Sequence, residues 1–299
     1  MKTSDIKKID IHAHAQLFTD YLPPLYNGRK LLSAEEMISF YDELGIEKGV
    51  LLPISSIEGQ FIVQPCENAK YLTEKYPDRF LWFCNIDPRS MSNDGKQDYS
   101  ELLAFYKSIG AKGVGEVTSN VYIDSPDMNR IFSACEELEL PVLLHIGAGF
   151  YSYGVVDDLG LPRLERMLKA HPKLKFLGHS QVFWTEISSD NTEETRDGWP
   201  SGKVDGGRIT ELMREYGNLY CDFSATSGSN AMMRDPEHAF RFIEEFSDRI
   251  LYGTDYCLAG QTFPYKFNGF LNENVENGNI SIEDYTKLVR TNAEKLLKI

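Results

Sequence analysis

Apolar residues fall in short runs along the whole chain, and polar stretches with helical spacing fill the intervals. Strand-like runs lie at 6–12, 49–54, 80–86, 113–117, 141–146, 174–178, 219–223 and 250–253. Each is short and bounded by polar stretches, as strands are. The intervals read as helices. The stretch 33–44 opens with Ser33 and Glu36 three residues on, a capping-box pattern. The stretch 100–109 stops at Gly110, a residue that closes helices readily. Helical spacing also marks 65–76, 126–140, 161–170, 207–216, 236–246 and 281–297.

About eight strand–helix units in one chain predict a parallel sheet, and eight in 299 residues match a closed (β/α)8 TIM barrel. A doubly wound open sheet also alternates, but it usually gathers its ligand at one switch point. Here the candidate site residues follow runs one, four, five, six and eight, and only a closed ring unites those tips. The expected architecture is α/β: one TIM-barrel domain spanning 1–299. Long loops are expected after strand five (147–160) and strand six (181–206).

Charge narrows the partners. Lysine and arginine total 31 against 45 acidic residues, for a formal net charge of −14. Such a field repels nucleic acid and anionic membranes, although a local metal can still attract a small anion. The five cysteines are odd in number and lack a Cys-x-x-Cys spacing, which disfavours a disulfide framework and fits a reducing cytoplasm. The polar N-terminus lacks the pattern of a secretory signal, and no apolar run approaches the ~20 residues of a membrane span. A soluble small molecule is the expected partner, and apolar residues in the long loops permit a homodimer.

The candidate chemistry sits at the strand ends. His12 and His14 close the first run two residues apart, so a strand would aim both at one face. His145, His179 and Asp255 end the fifth, sixth and eighth runs. Three imidazoles (His12, His14, His145) and the carboxylate of Asp255 suit a divalent metal. Zn²⁺ is the first expectation, with Mn²⁺ or Fe²⁺ as alternatives and one ion, or two, as the count. An open position on such an ion lowers the pKa of its water towards ~7.

The ordered set Asp10-Ile11-His12-Ala13-His14, Leu144-His145, Gly178-His179 and Gly253-Thr254-Asp255 resembles the amidohydrolase superfamily. More narrowly, it resembles the branch that includes aminocarboxymuconate-semialdehyde decarboxylase. The resemblance implies that His12, His14, His145 and Asp255 ligate metal and that Asp255 takes a proton from the attacking water. It implies for His179 either acid–base work beside the metal or ligation of a second ion. Glu116, ending the fourth run, would bridge two ions, bind one, orient a ligand histidine or contact substrate.

Two reactions follow from that resemblance. The first is hydrolysis of an amide, ester or lactone by metal-activated water, and the alternative is non-oxidative decarboxylation of an aromatic or enoic acid. A non-catalytic metal-binding scaffold is the third reading. Arg208 is a candidate for a substrate carboxylate through its planar fork. Tyr151 and Trp184, with Phe150, Tyr153 and Phe183, either wall the pocket or pack the long loops. His171, at a helix end, and His238, read as solvated, are set aside.

Overall fold

The eight apolar runs become the staves of a parallel barrel. The computed structural model describes residues 2–22, 28–59, 63–90 and 96–299. The strands are β1 (Lys8–Ala13), β2 (Ile46–Leu51), β3 (Phe80–Trp82), β4 (Val114–Val117), β5 (Val142–Gly147), β6 (Val155–Val156), β7 (Phe176–His179), β8 (Leu219–Asp222) and β9 (Ile250–Leu251). Two parallel sheets, β1-β2-β3 and β4-β5-β7-β8-β9, account for the staves, and the short β6 pairs with β5 off this path. Parallel bridges Cys84↔Val114 and Ala13↔Tyr256 join the sheets at both seams, so the ring closes.

The helices are α1 (Ala34–Leu44), α2 (Cys66–Lys75), α3 (Ser100–Ser108), α4 (Pro126–Glu137), α5 (Pro162–Ala170), α6 (Gln181–Thr185), α7 (Arg208–Glu215), α8 (Ala225–Met233), α9 (Pro236–Phe246), α10 (Phe263–Glu276), α11 (Ile282–Thr286) and α12 (Asn292–Leu297). Local signals set their ends. Ser33 and Glu36 form the reciprocal capping box of α1, which stops at Gly45 with φ 69°. Ser125 and Asp235 cap α4 and α9, each followed by a proline at the first helical position.

Inside the ring, Ile9, Ile11, Val50, Leu52, Phe83, Leu143, Leu177 and Leu251 form one buried cluster. Outside it, helix faces pack on the other side of the strands in a second, larger cluster. These two layers leave the strand tips as the place where polar side chains converge.

The loop after β7 is shorter than its composition implies, because α6 occupies its start. β6 likewise lies in the loop after β5. Helices α8 and α10 also lie where the sequence shows no helical spacing. Helix α8 follows its opening alanine with Thr-Ser-Gly-Ser-Asn, all weak helix formers. Its packing against α6 and α10 supplies what propensity does not. The terminal helical stretch is interrupted by a π-helical turn at Lys287–Thr291.

Candidate metal centre

Strand β1 delivers the first candidate ligand by a change of register. Its pairing with β2 shifts between Asp10 and Ala13, the mark of a bulge, which re-aims side chains. Ile11 packs in the barrel interior while His12, the next residue, reaches the carboxylates at the mouth. Asp10 anchors the turn. It accepts hydrogen bonds from the His12 amide (3.0 Å), the Thr254 amide (2.9 Å), the Thr254 hydroxyl (2.5 Å) and the Tyr41 hydroxyl (2.9 Å). Those bonds tie β1 to the segment after β9, which carries Asp255. Burial still pushes the Asp10 carboxyl up to about 6, against all four donors.

The tautomers of the two leading histidines follow from their partners. The Leu52 carbonyl can only accept, so His14 donates through Nδ1 (2.9 Å) and its Nε2 carries a lone pair. His12 donates through Nδ1 to Asp222 Oδ2 at 2.7 Å. The two Nε2 atoms then face each other at 3.0 Å. Glu116 Oε2 lies 3.5 Å from His12 Nε2 and 3.3 Å from His14 Nε2, and Asp255 Oδ1 lies 3.5 Å from both. Four potential ligand atoms thus converge, and only a proton on His12 or a cation can hold them together.

A cation resolves that arrangement. Donors 2.0–2.1 Å from a tetrahedral ion stand about 3.3–3.4 Å apart, close to the spacings found. The electrostatics agree. Burial alone lowers the pKa of His12, but Asp255, Asp222 and Glu116 outweigh it and hold the imidazole well above its usual range. The same acids that would stabilise imidazolium would stabilise a metal ion. Burial raises Glu116, yet His12, His14 and His145 outweigh it and keep the carboxylate ionised, well below its usual range.

His145 and His179 lie on the other side of Glu116. His145 donates through Nδ1 to Glu116 Oε1 at 2.6 Å, and His179 Nε2 is 3.7 Å from the same oxygen. Burial lowers the pKa of His145, with Glu116 only partly offsetting it. The expectation that His145 shares one ligand shell with His12 and His14 therefore changes. Glu116 stands between two groups, His12 and His14 on one oxygen, His145 and His179 on the other, and both groups have spacings that could hold a metal.

Three residues outside the expected set complete the centre. Asp222, fully buried at the tip of β8, accepts from His12 and, through the same Oδ2, from Ser224 Oγ (2.8 Å), and it lies 3.2 Å from His179 Nδ1. Ser224 Oγ also lies 3.0 Å from His179 Nδ1. An acidic residue ending the apolar seventh run was the available signal for Asp222. Gly253 has no substitute, because a Cβ there would stand 2.4 Å from Asp222 Oδ1 and 3.3 Å from His12 Cβ. Ser180, Ala225 and Asp255, all at the mouth, have positive φ (111°, 62° and 49°), a conformation that costs energy and recurs at functional sites.

A cavity of about 200 Å³ opens on the metal-competent side chains His14, Glu116, His145 and Asp255. Leu31, Ile54, Gln64, Tyr153, Cys257 and Leu258 form the rest of its wall. The Tyr153 ring meets His145 edge-on at 4.8 Å.

The expected substrate contacts do not gather there. Arg208 is held by Glu165 (2.6 Å), Glu211 (3.0 Å) and the Gly160 carbonyl, so its fork is already filled. Trp184 is 2 % exposed and packs behind the centre. It donates to the Asp222 carbonyl at 3.0 Å and so braces β8. Tyr151 is fully exposed, at a left-handed backbone position outside the cavity. His238 is buried, not solvated, and its ring stacks on Phe242. His171 bonds to Asn129 away from the centre.

A family model described as amidohydrolase matches residues 71–299, more than half of the chain. The protein belongs to the amidohydrolase family. The matched span of this amidohydrolase includes Glu116, His145, His179, Asp222 and Asp255, whereas His12 and His14 precede it. No curated protein matches the chain. Solved structures share its fold across nearly the whole length. An uncharacterised TIM-barrel protein from Bordetella bronchiseptica is 18% identical with a TM-score of 0.65, covering 98% of this chain and 99% of its own. A 5-carboxyvanillate decarboxylase from Novosphingobium aromaticivorans, complexed with manganese and a nitrobenzoic acid, is 18% identical with a TM-score of 0.61, at 99% and 97% coverage. A putative 2-pyrone-4,6-dicarboxylic acid hydrolase from Pseudomonas putida is 15% identical with a TM-score of 0.62, at 98% coverage of both chains. Proteins that share this fold therefore include a decarboxylase and a putative hydrolase. Among the described residues no helix is long and apolar enough to cross a membrane.

Proposed function

We propose that this amidohydrolase is a metal-dependent hydrolase of small esters, lactones or amides. The observation that carries the reading is the convergence of His12 Nε2, His14 Nε2 and Glu116 Oε2 within 3.0–3.5 Å of one another, with Asp255 Oδ1 3.5 Å from both nitrogens. These four would hold the ion. Glu116 Oε1, His145 and His179 form an adjoining position open to a second ion or to proton transfer. Zn²⁺ suits the two-nitrogen, two-oxygen set, and Mn²⁺ is the alternative. When bound, the ion supplies Lewis acidity towards a carbonyl and a water acidic enough to ionise near neutral pH.

The side chains supply the rest. Asp255 is 24% exposed, the most accessible carboxylate of the set, and faces the cavity. It takes the proton released as water adds to the carbonyl carbon. As the bond to the leaving oxygen or nitrogen breaks, His145 or Asp255, both on the cavity wall, returns a proton to it. Asp222 and Ser224 hold His12 and His179 in place from behind.

Hydrolysis is preferred to decarboxylation because of where the acids and bases stand. Protonation of a substrate carbon needs a donor at the cavity surface beside that carbon. His179, the donor implied by resemblance, is 1% exposed and contributes no part of the wall. The free state of all five cysteines supports a cytoplasmic setting for the work.

The test is elemental analysis of gently purified protein followed by an ester, lactone, amide and aromatic-acid panel. The reading expects at least one equivalent of divalent metal and hydrolysis that a chelator abolishes and Zn²⁺ or Mn²⁺ restores. Carbon dioxide release without hydrolysis would reassign the reaction, and a metal-free, inert protein would leave only a scaffold.

A further inference from the structure

The cavity wall opposite the metal ligands is apolar and uncharged. Leu31, Ile54 and Leu258 line it with the Tyr153 ring, and Cys257 adds a thiol. Among the described residues no lysine or arginine lines it, and segments 23–27, 60–62 and 91–95 contain neither residue. The arginines of nearby loops are engaged elsewhere: Arg89 with Glu58 and Asp87, Arg163 with Asp124 and Asp158. Arg29, whose field reaches Cys257, is exposed to solvent.

The fixed charge at this end of the barrel is negative. Glu116, Asp255 and Asp222 carry more charge than one divalent ion neutralises. A substrate bearing its own carboxylate would bury a second anion against leucine and isoleucine with no cation beside it, a costly placement.

One polar side chain on the wall has no partner. Gln64 is 3% exposed, and its backbone pairs with Ile54 in both directions. Its carboxamide lines the cavity and makes no hydrogen bond to any described residue. A buried amide in that state loses hydrogen bonds unless a ligand or water supplies them.

We propose that the substrate is an uncharged carbonyl compound whose apolar flank lies on Leu31, Ile54 and Leu258 and whose neutral hydrogen-bonding group is held by Gln64. The assignment rests on the hydrolytic reading and names its substrate class. It makes Gln64 a specificity residue, able to donate to or accept from a hydroxyl or amide.

Three matched esters test it on the metal-loaded enzyme: phenyl acetate, 4-hydroxyphenyl acetate and 4-acetoxybenzoate. Both neutral esters should exceed 4-acetoxybenzoate in kcat/KM by about 100-fold. The hydroxyl should give about 10-fold over phenyl acetate, mostly in KM. Gln64→Leu should erase that 10-fold preference, through a higher KM for 4-hydroxyphenyl acetate. Equal or faster hydrolysis of 4-acetoxybenzoate overturns the proposal, as does a loss of that activity in Arg29→Ala. Equal losses on both neutral esters in Gln64→Leu would make the residue merely structural and remove its assignment. Calorimetry with the unhydrolysable ketones 4-hydroxyacetophenone and 4-acetylbenzoate separates this inference from the reaction. Tighter binding of the neutral ketone upholds it even where the panel releases only carbon dioxide, and tighter binding of the acid overturns it even where esters are hydrolysed.

Discussion

The two ends of the barrel make opposite use of charge. At the mouth, a cavity of about 200 Å³ opens on imidazoles and carboxylates that are mostly buried. At the floor, a larger cleft of about 540 Å³ is bordered by four lysines and four acidic residues. The floor charges cancel in sign, and those such as Lys173, Lys295 and Lys298 stand exposed to water. Water and mobile ions satisfy such groups at little cost. At the mouth, His12, Glu116 and Asp222 have less than 5% exposure, and no water can do the same. Volume would point to the floor. Buried charge that requires a partner points to the mouth.

The largest effect expected of that contrast is at Glu116. Its two oxygens face the two histidine groups, so Glu116→Ala should remove both metal positions at once. Hydrolysis should fall by about 10³-fold or more, and metal content after dialysis should drop below that of a His145→Ala protein. Urea unfolding of the apoprotein separates loss of metal from loss of fold. A Glu116→Ala protein that retains full metal and turnover would remove the charge argument altogether.

A smaller effect is expected one shell back. Asp222→Asn keeps the volume of the side chain but weakens its grip on His12 Nδ1 and Ser224. Metal affinity should fall about 10- to 100-fold, with activity recovered at high metal concentration. Competition with a chromogenic chelator measures the first, and a metal titration of turnover the second. An affinity equal to wild type would reduce Asp222 to a packing residue.

The barrel and half of this centre could be read from the chain, for reasons visible in particular residues. Apolar runs of strand length gave the staves, because their alternation with helical stretches separates them from buried helix segments. His12, His14, Glu116 and Asp255 could be selected because each ends such a run. Their grouping could not. Whether His145 joins His12 or Glu116 depends on distances between strands that are neighbours only in the closed ring. Asp222 was passed over because a lone Asp after Cys221 reads as a strand end, and its meaning comes from His12, 210 residues away. Arg208 and Trp184 show the converse. Both have the right chemistry, but Glu165 and the Asp222 carbonyl engage them first. Helix α8 was illegible because its residues are poor helix formers held by their neighbours.

Lys8 sharpens the comparison from the floor, where it breaks the pattern of solvated charge. Its amine is buried at the start of β1 and donates to the Leu44 carbonyl at 2.6 Å. Burial, reinforced by the charge of Lys7, lowers its pKa to about 8. Between pH 8 and 10.5 the unfolded chain therefore holds a proton that the folded chain has shed, so stability rises with pH across that window. Below it, both states are protonated and the folded state bears a penalty of about 3 kcal/mol. Lys8→Met should be more stable by about 2 kcal/mol at pH 7, after loss of the bond to Leu44. It should also lack the rise towards pH 10. Urea unfolding at the two pH values decides it, and an unchanged pH dependence would show that the amine is solvated.

The smallest effect belongs to the exposed floor pairs. Lys298 reaches Glu139 at 2.7 Å, with side chains 65% and 70% exposed. Both charges keep most of their hydration whether or not they meet, and holding two long side chains together costs entropy that offsets the attraction. The cleft around them is large, yet nothing in it is deprived of water. Lys298→Ala should therefore shift Tm by less than about 2 °C and leave ester hydrolysis unchanged at any salt concentration. Alanine adopts the left-handed backbone at this position no more easily than lysine does, so the substitution reports on the charge alone. A fall in turnover, rather than in Tm, would mean that the floor communicates with the mouth, and the division of labour between the two ends would have to be redrawn.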